Sequence, residues 1–174
     1  MAQNEAPSAA TITPESDFRD AARITLQAAF VKMMKNAPGT HAGLLRREPK
    51  PAEVEALHDM RVGTRRLRAA LSVFARIFPK DEYRDIEREV AAITDALAAV
   101  RDLDVQRETL AAVVAGLPPN EAYGVERHRD RLAKQRDTER ESLIAALKKL
   151  EKSRFKKRFA QALDRATTAS RKGA

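Results

Sequence analysis

Six residues, Met60, Thr64, Leu67, Leu71, Phe74 and Phe78, follow one another at steps of four, three, four, three and four. That alternation holds side chains on one side of an α-helix, and a helix carrying such a seam is buried against other helices. The same rhythm recurs in Phe18, Ala22, Leu26, Ala29 and Met33, and again in Tyr83, Ile86, Val90, Ile93, Leu97 and Val100. No stretch shows the two-residue alternation of a strand with any strength. The expected fold class is therefore all-α, an antiparallel helical bundle of about four to six helices.

Breakers and caps place the helices. Pro14-Glu15-Ser16-Asp17 reads as a helix start, and the first helix is expected to run to about Asn36, where Ala37-Pro38-Gly39-Thr40 stops it. A loop with Pro49 and Pro51 follows. The second helix is expected from about Ala52 to Phe78, closed by Pro79. The third begins near Asp81 and Glu82, acids that suit the positive helix end. At Arg101-Asp102-Leu103-Asp104-Val105 either an Asp caps a new helix or the helix continues with a kink, up to a break at Gly116–Asn120. A fourth helix spans roughly Glu121 to Leu150, and only its second half, with Leu143, Ile144, Leu147 and Leu150, reads as core. A further helix holds Phe155, Phe159, Leu163 and Ala166 and frays at Ser170–Ala174. Residues 1–13, rich in Ala, Ser and Thr, are expected to be disordered, which leaves one helical domain over 14–170.

Several function classes drop out. With no Cys there is no disulfide or thiolate chemistry. No apolar run reaches the length of a membrane span, and the N-terminus lacks a basic patch followed by an apolar stretch, so a soluble cytoplasmic protein is expected. There is no Gly-rich phosphate loop, no acidic metal cluster and no nucleophile beside a base. No enzymatic activity, metal or cofactor is therefore expected. Asp102 and Asp104 read as capping or Arg-pairing residues, and His41 and His128 as surface residues.

Charge carries the functional signal. The net charge of +8 points to an acidic partner. Residues 1–120 hold 17 Lys/Arg and 17 Asp/Glu, whereas 121–174 hold 16 and 8. A local imbalance lies inside the balanced part: Met60–Lys80 has six basic residues and no acidic one. Placed on a helix from His58, Arg61, Arg65 and Arg68 fall at about −60°, −20° and −80°, while the seam centres near 200°. These four form one stripe apart from the core, and Arg66 points elsewhere, near 80°. Guanidinium groups bind phosphate oxygens in bidentate fashion. A stripe repeating about every 5 Å along the axis suits a linear polyanion. The same arginines could instead pair with acids on neighbouring helices. A second cluster, Lys148, Lys149, Lys152, Arg154, Lys156, Lys157 and Arg158, is either a solvated face or an extension of the anion track.

The run His58-Asp59-Met60-Arg61-Val62-Gly63-Thr64-Arg65-Arg66-Leu67-Arg68 resembles the signature of the CHAD family, the conserved histidine α-helical domain. Arg101-Asp102-Leu103-Asp104-Val105 resembles that family's second motif, and Leu147–Phe159, with Ser153-Arg154-Phe155, is a weaker match to its following helices. The resemblance implies a helical bundle that binds inorganic polyphosphate, or a similar polyanion, through basic side chains facing a central channel. It also implies association with triphosphate-tunnel enzymes or with polyhydroxyalkanoate granules. By this carry-over His58, Arg61, Arg65, Arg66, Arg68, Arg101 and Arg154 are polyphosphate-binding candidates. The family domain usually has two similar halves, each with a basic helix, and this chain resembles the N-terminal one. The expected architecture is half of a duplicated CHAD-type bundle, either a piece of a longer domain or one member of a homodimer. The competing readings are a nucleic-acid-binding helical protein and a granule-associated scaffold. Against the first, the basic helix offers no Asn or Gln for base edges and the chain has few aromatics to stack on bases.

Overall fold

The computed structural model describes residues 11–168, apart from the side chain of Pro119. Most of the segment expected to be disordered, and the expected frayed end at 170–174, lie outside the described residues. Five α-helices follow in order among the described residues: α1 Phe18–Leu44, α2 Pro51–Val73, α3 Lys80–Ala115, α4 Pro119–Lys152 and α5 Phe155–Thr168. A single 3₁₀ turn, Ala75–Ile77, joins α2 to α3. Among the described residues there is no strand, and no helix is long and apolar enough to cross a membrane.

Local chemistry explains the boundaries. Asp17 caps α1, its Oδ1 accepting from the backbone N–H of Arg19 and of Asp20, each at 2.7 Å. Contrary to the expected stop at Ala37–Thr40, α1 runs on through Pro38 for another turn and a half to Leu44. Packing overrides the breaker: a Cβ built at Gly39 would lie 2.8 Å from the Ala56 Cβ, and one at Gly43 2.9 Å from the Glu53 Cβ. The two glycines let α1 press against α2 at close range, and that contact offsets the hydrogen bond lost at the proline. Pro51 opens α2 at a position that needs no N–H, and the Glu53 carboxylate accepts from the Lys50 backbone N–H at 2.7 Å.

The second helix ends at Val73 rather than Phe78. Phe78 precedes a proline and is extended, with φ −97° and ψ 149°, so the chain must leave the helix before it. The seam survives the change: Met60, Thr64, Leu67 and Leu71 are buried in α2, and Phe78 is buried beyond it. Of the two alternatives for 101–105, continuity holds, since α3 passes through them unbroken.

Helices α1 and α2 form one close pair and α3 and α4 another. The core between them gathers Leu26, Met33, Met60, Leu67, Leu71, Val90, Leu97, Val100 and Leu143. Helix α5 closes the bundle through aromatic contacts. Phe30 of α1 stacks on Phe159 with ring centroids 4.2 Å apart, and Phe155 lies 6.0 Å from Phe30. As expected, the core of α4 is concentrated in its second half, at Leu143, Leu147 and Leu150; in its first half Ala122 and Leu132 are the buried hydrophobics among the described residues.

Candidate functional site

The close α1–α2 approach fixes which way the basic helix faces. Gly63 sits where a Cβ would meet the backbone of α1, 2.8 Å from the Met33 N and 3.0 Å from its Cα. With Gly63 against α1 and the seam in the core, the opposite side of α2 is left for the stripe. His58 and Arg65 are exposed there, and Arg61 is half-buried beside them. From His58 to Arg68 the stripe covers roughly 15 Å of helix. Asp59, the one acid within the motif, is turned away and bound by Lys32 of α1 at 3.0 Å. It therefore leaves the stripe unneutralised.

The stripe is paired at its Arg68 end and unpaired along the rest of its length. Arg68 reaches Glu87 and Asp95 of α3 at 3.7 and 3.4 Å, all three side chains being more than a third exposed. Arg101, on α3, pairs with Glu108 at 3.4 Å. Among the described residues no ion pair is made by His58, Arg61 or Arg65, and the Arg61 Nε has neither solvent-exposed surface nor a hydrogen-bond acceptor. The alternative that the stripe arginines pair with acids on neighbouring helices therefore holds for Arg68 and fails for Arg61 and Arg65, while Arg101 pairs within its own helix.

At the His58 end the stripe meets a cleft of about 570 Å³, walled by Leu57, Pro49 and Pro51. His58, Arg101 and Arg136 line it together with Glu53, Glu55 and Asp104, three basic side chains against three carboxylates. Arg136 was not legible as a site residue. It donates to Asp104 at 2.7 Å across the α3–α4 interface, both side chains about one-fifth exposed. The Glu53 carboxyl is held below its ordinary range, first by the hydrogen bond from the Lys50 backbone and then by Arg46. The pairing expected for Asp104 is therefore present, with a partner 32 residues away. Among the described residues no group of three or more His, Cys, Asp or Glu could hold a metal ion.

Two candidates lie elsewhere. Arg66 lines the groove between α1 and α2 with Lys32, Ala69 and Val73, away from the stripe. Arg154 stands at the α4–α5 junction, in a cleft with His41, Lys148 and Lys156. His41 also departs from expectation: it is half-buried, and its Nε2 has no exposed surface and no partner.

A family model, described as the CHAD domain, matches residues 24–174. The chain belongs to the CHAD-domain family. It matches no curated protein and no solved structure. Within this CHAD domain, the structure joins His58, Arg61, Arg65 and Arg68 to Arg101 along the α2–α3 side, and it separates Arg66 and Arg154 from them.

Proposed function

We propose that this CHAD domain binds inorganic polyphosphate along the exposed side of α2, as an accessory or targeting module rather than a catalyst. The observation that carries the reading is the unpaired middle of the stripe. Arg61 and Arg65 stand one turn apart with no carboxylate on either. Cations held side by side repel one another, and an anionic chain relieves that repulsion. Guanidinium donors at a helical repeat match the repeating phosphates of a linear polymer better than isolated charges would.

The paired Arg68 end supports the same reading. Exposed ion pairs of the Arg68 type contribute at most about 1 kcal/mol, so phosphate oxygens can replace those carboxylates at little cost. The cleft beyond His58, where three carboxylates stand against two guanidiniums and an imidazole, does not favour an anion. The polymer is therefore directed along Arg61, Arg65 and Arg68 rather than into that cleft. A second copy brought against this side would add its own stripe and raise affinity through effective concentration.

The test is competition between two polyanions. Long-chain polyphosphate displaces labelled DNA far more effectively than DNA displaces labelled polyphosphate, and the reverse order would transfer the site to nucleic acid. The combined variant His58→Ala, Arg61→Ala, Arg65→Ala keeps its helical circular dichroism and loses most of its polyphosphate affinity. Undiminished binding by that variant refutes the assignment. Mass in solution, with and without polyphosphate, tests the pairing of two chains.

A further inference from the structure

A second cleft, of about 480 Å³, lies where α1, α4 and α5 meet, on a different side of the bundle from the stripe. Its wall is apolar: Met34, Ala37, Pro38, Leu147, Leu150 and Phe155. Its polar groups are four basic side chains, His41, Lys148, Arg154 and Lys156, and one carboxylate, Glu151. This imbalance contrasts with the first cleft, where acids and bases match.

Three features of this cleft bear on what it can hold. The His41 Nε2 is shielded from solvent and has no hydrogen-bond partner, a state that native structures rarely leave unexplained. Arg154 has φ 55°, the one non-glycine residue with positive φ among those described, at the left-handed turn that ends α4 and opens α5, which places it on the rim of the cleft. Helix α5 opens onto the cleft with no acidic residue in its first turn, and Lys156, Lys157 and Arg158 stand there instead. Cations at the positive end of a helix are unfavourable unless an anion joins them. Arg158 is relieved by Glu89, whereas no ion pair among the described residues relieves Lys156 or Arg154.

We infer that this cleft is a second anion site, separate from the polyphosphate stripe, whose ligand is a phosphate monoester carrying a short apolar body. Several cations facing a single carboxylate favour a doubly charged head over a singly charged one. The apolar wall accounts for the body, and the volume is that of an ordinary small-molecule site. Arg154 supplies the fork-shaped donor to the phosphate, Lys148 and Lys156 supply charge, and the His41 ring lines the cleft from the α1 side.

The test uses the whole chain and hexyl phosphate as probe, followed by calorimetric titration. Binding saturates at one per chain and is about tenfold or more tighter than that of inorganic phosphate or of hexanoate. Arg154→Gly weakens it by about tenfold or more, the scale of one lost charge-assisted contact. The same change raises the melting temperature, because glycine accepts the left-handed backbone, so the loss cannot be ascribed to unfolding. Arg65→Ala leaves hexyl phosphate binding unchanged, which separates this site from the stripe. Failure to saturate at millimolar hexyl phosphate overturns the inference. So does equal binding of inorganic phosphate or hexanoate, or an Arg154→Gly protein that binds as before.

Discussion

Gly63→Ala adds one methyl group in the middle of the signature, on the side of α2 that meets α1. In an open helix that change stabilises by about 1 kcal/mol, because glycine is the poorer helix former. Here the new Cβ would lie 2.8 Å from the Met33 N, 3.0 Å from the Met33 Cα and 3.2 Å from the Lys32 carbonyl carbon. All three are backbone atoms, which cannot rotate aside as a side-chain tip can. Restoring ordinary carbon contact near 3.5 Å requires the helices to part by roughly 0.7 Å, and a gap of that size forfeits a quarter to a half of each dispersion contact along the seam. Overpacking of this kind costs about 1–3 kcal/mol, and a rigid obstacle places it toward the upper end. The net expectation is a loss of about 1–2 kcal/mol, or a fall in Tm of about 2–8 °C for a chain of this size. The internal control is Gly124→Ala on α4, where an added Cβ meets nothing within 4 Å; it is expected to gain about 0.5–1 kcal/mol. Thermal and urea unfolding of the two variants beside the parent measure the contrast. A Gly63→Ala protein as stable as the parent would refute the claim that this glycine sets the distance between α1 and α2.

Other expectations concern the pairs and rings around the site. Phe159→Ala removes the ring stacked on Phe30 and is expected to cost about 3–5 kcal/mol, read by urea denaturation, with α5 protecting its amides less from hydrogen exchange. Asp104→Asn takes the carboxylate from Arg136 in a half-buried setting, costing about 1–2 kcal/mol, and raises polyphosphate affinity at the His58 end because one repelling charge is gone; titration in low salt detects the gain. The lowered Glu53 carboxyl gives stability that is present above the ordinary carboxylate range near pH 4.5 and lost as pH falls through its lower folded value. Glu53→Gln therefore shows a shallower acid decline in a pH series of melting temperatures.

Much of this fold was legible because it rests on periodicity. The seams of α1, α2 and α3 predicted buried positions that the structure confirms at Leu26, Met60, Leu67, Val90 and Leu97. What escaped was set by contacts between segments distant in sequence. Pro38 looks like a terminator when only its neighbours are considered, and it is the fit of Gly39 against Ala56 that keeps α1 going. Phe78 belongs to the seam by spacing yet lies outside the helix, because Pro79 governs its backbone while its ring still finds the core. Helical angles separated Arg66 from His58, Arg61, Arg65 and Arg68 correctly, since those angles depend on one helix alone. The same arithmetic could not find Arg136, whose role depends on how α4 lies against α3, nor the confinement of His41, which depends on α1, α4 and α5 together.

The aromatic contact between α1 and α5 has a consequence for the order of folding. Phe30 waits for a ring that the ribosome adds well over a hundred residues later, roughly 6–25 s at ordinary synthesis rates of about 5–20 residues per second. Throughout that interval a nascent chain carries a greasy notch open to any passing hydrophobic segment. Chaperone capture, or sticking to a neighbouring nascent chain, should therefore be concentrated in the stretch of translation between α1 and α5, and should cease once Phe155 and Phe159 have docked.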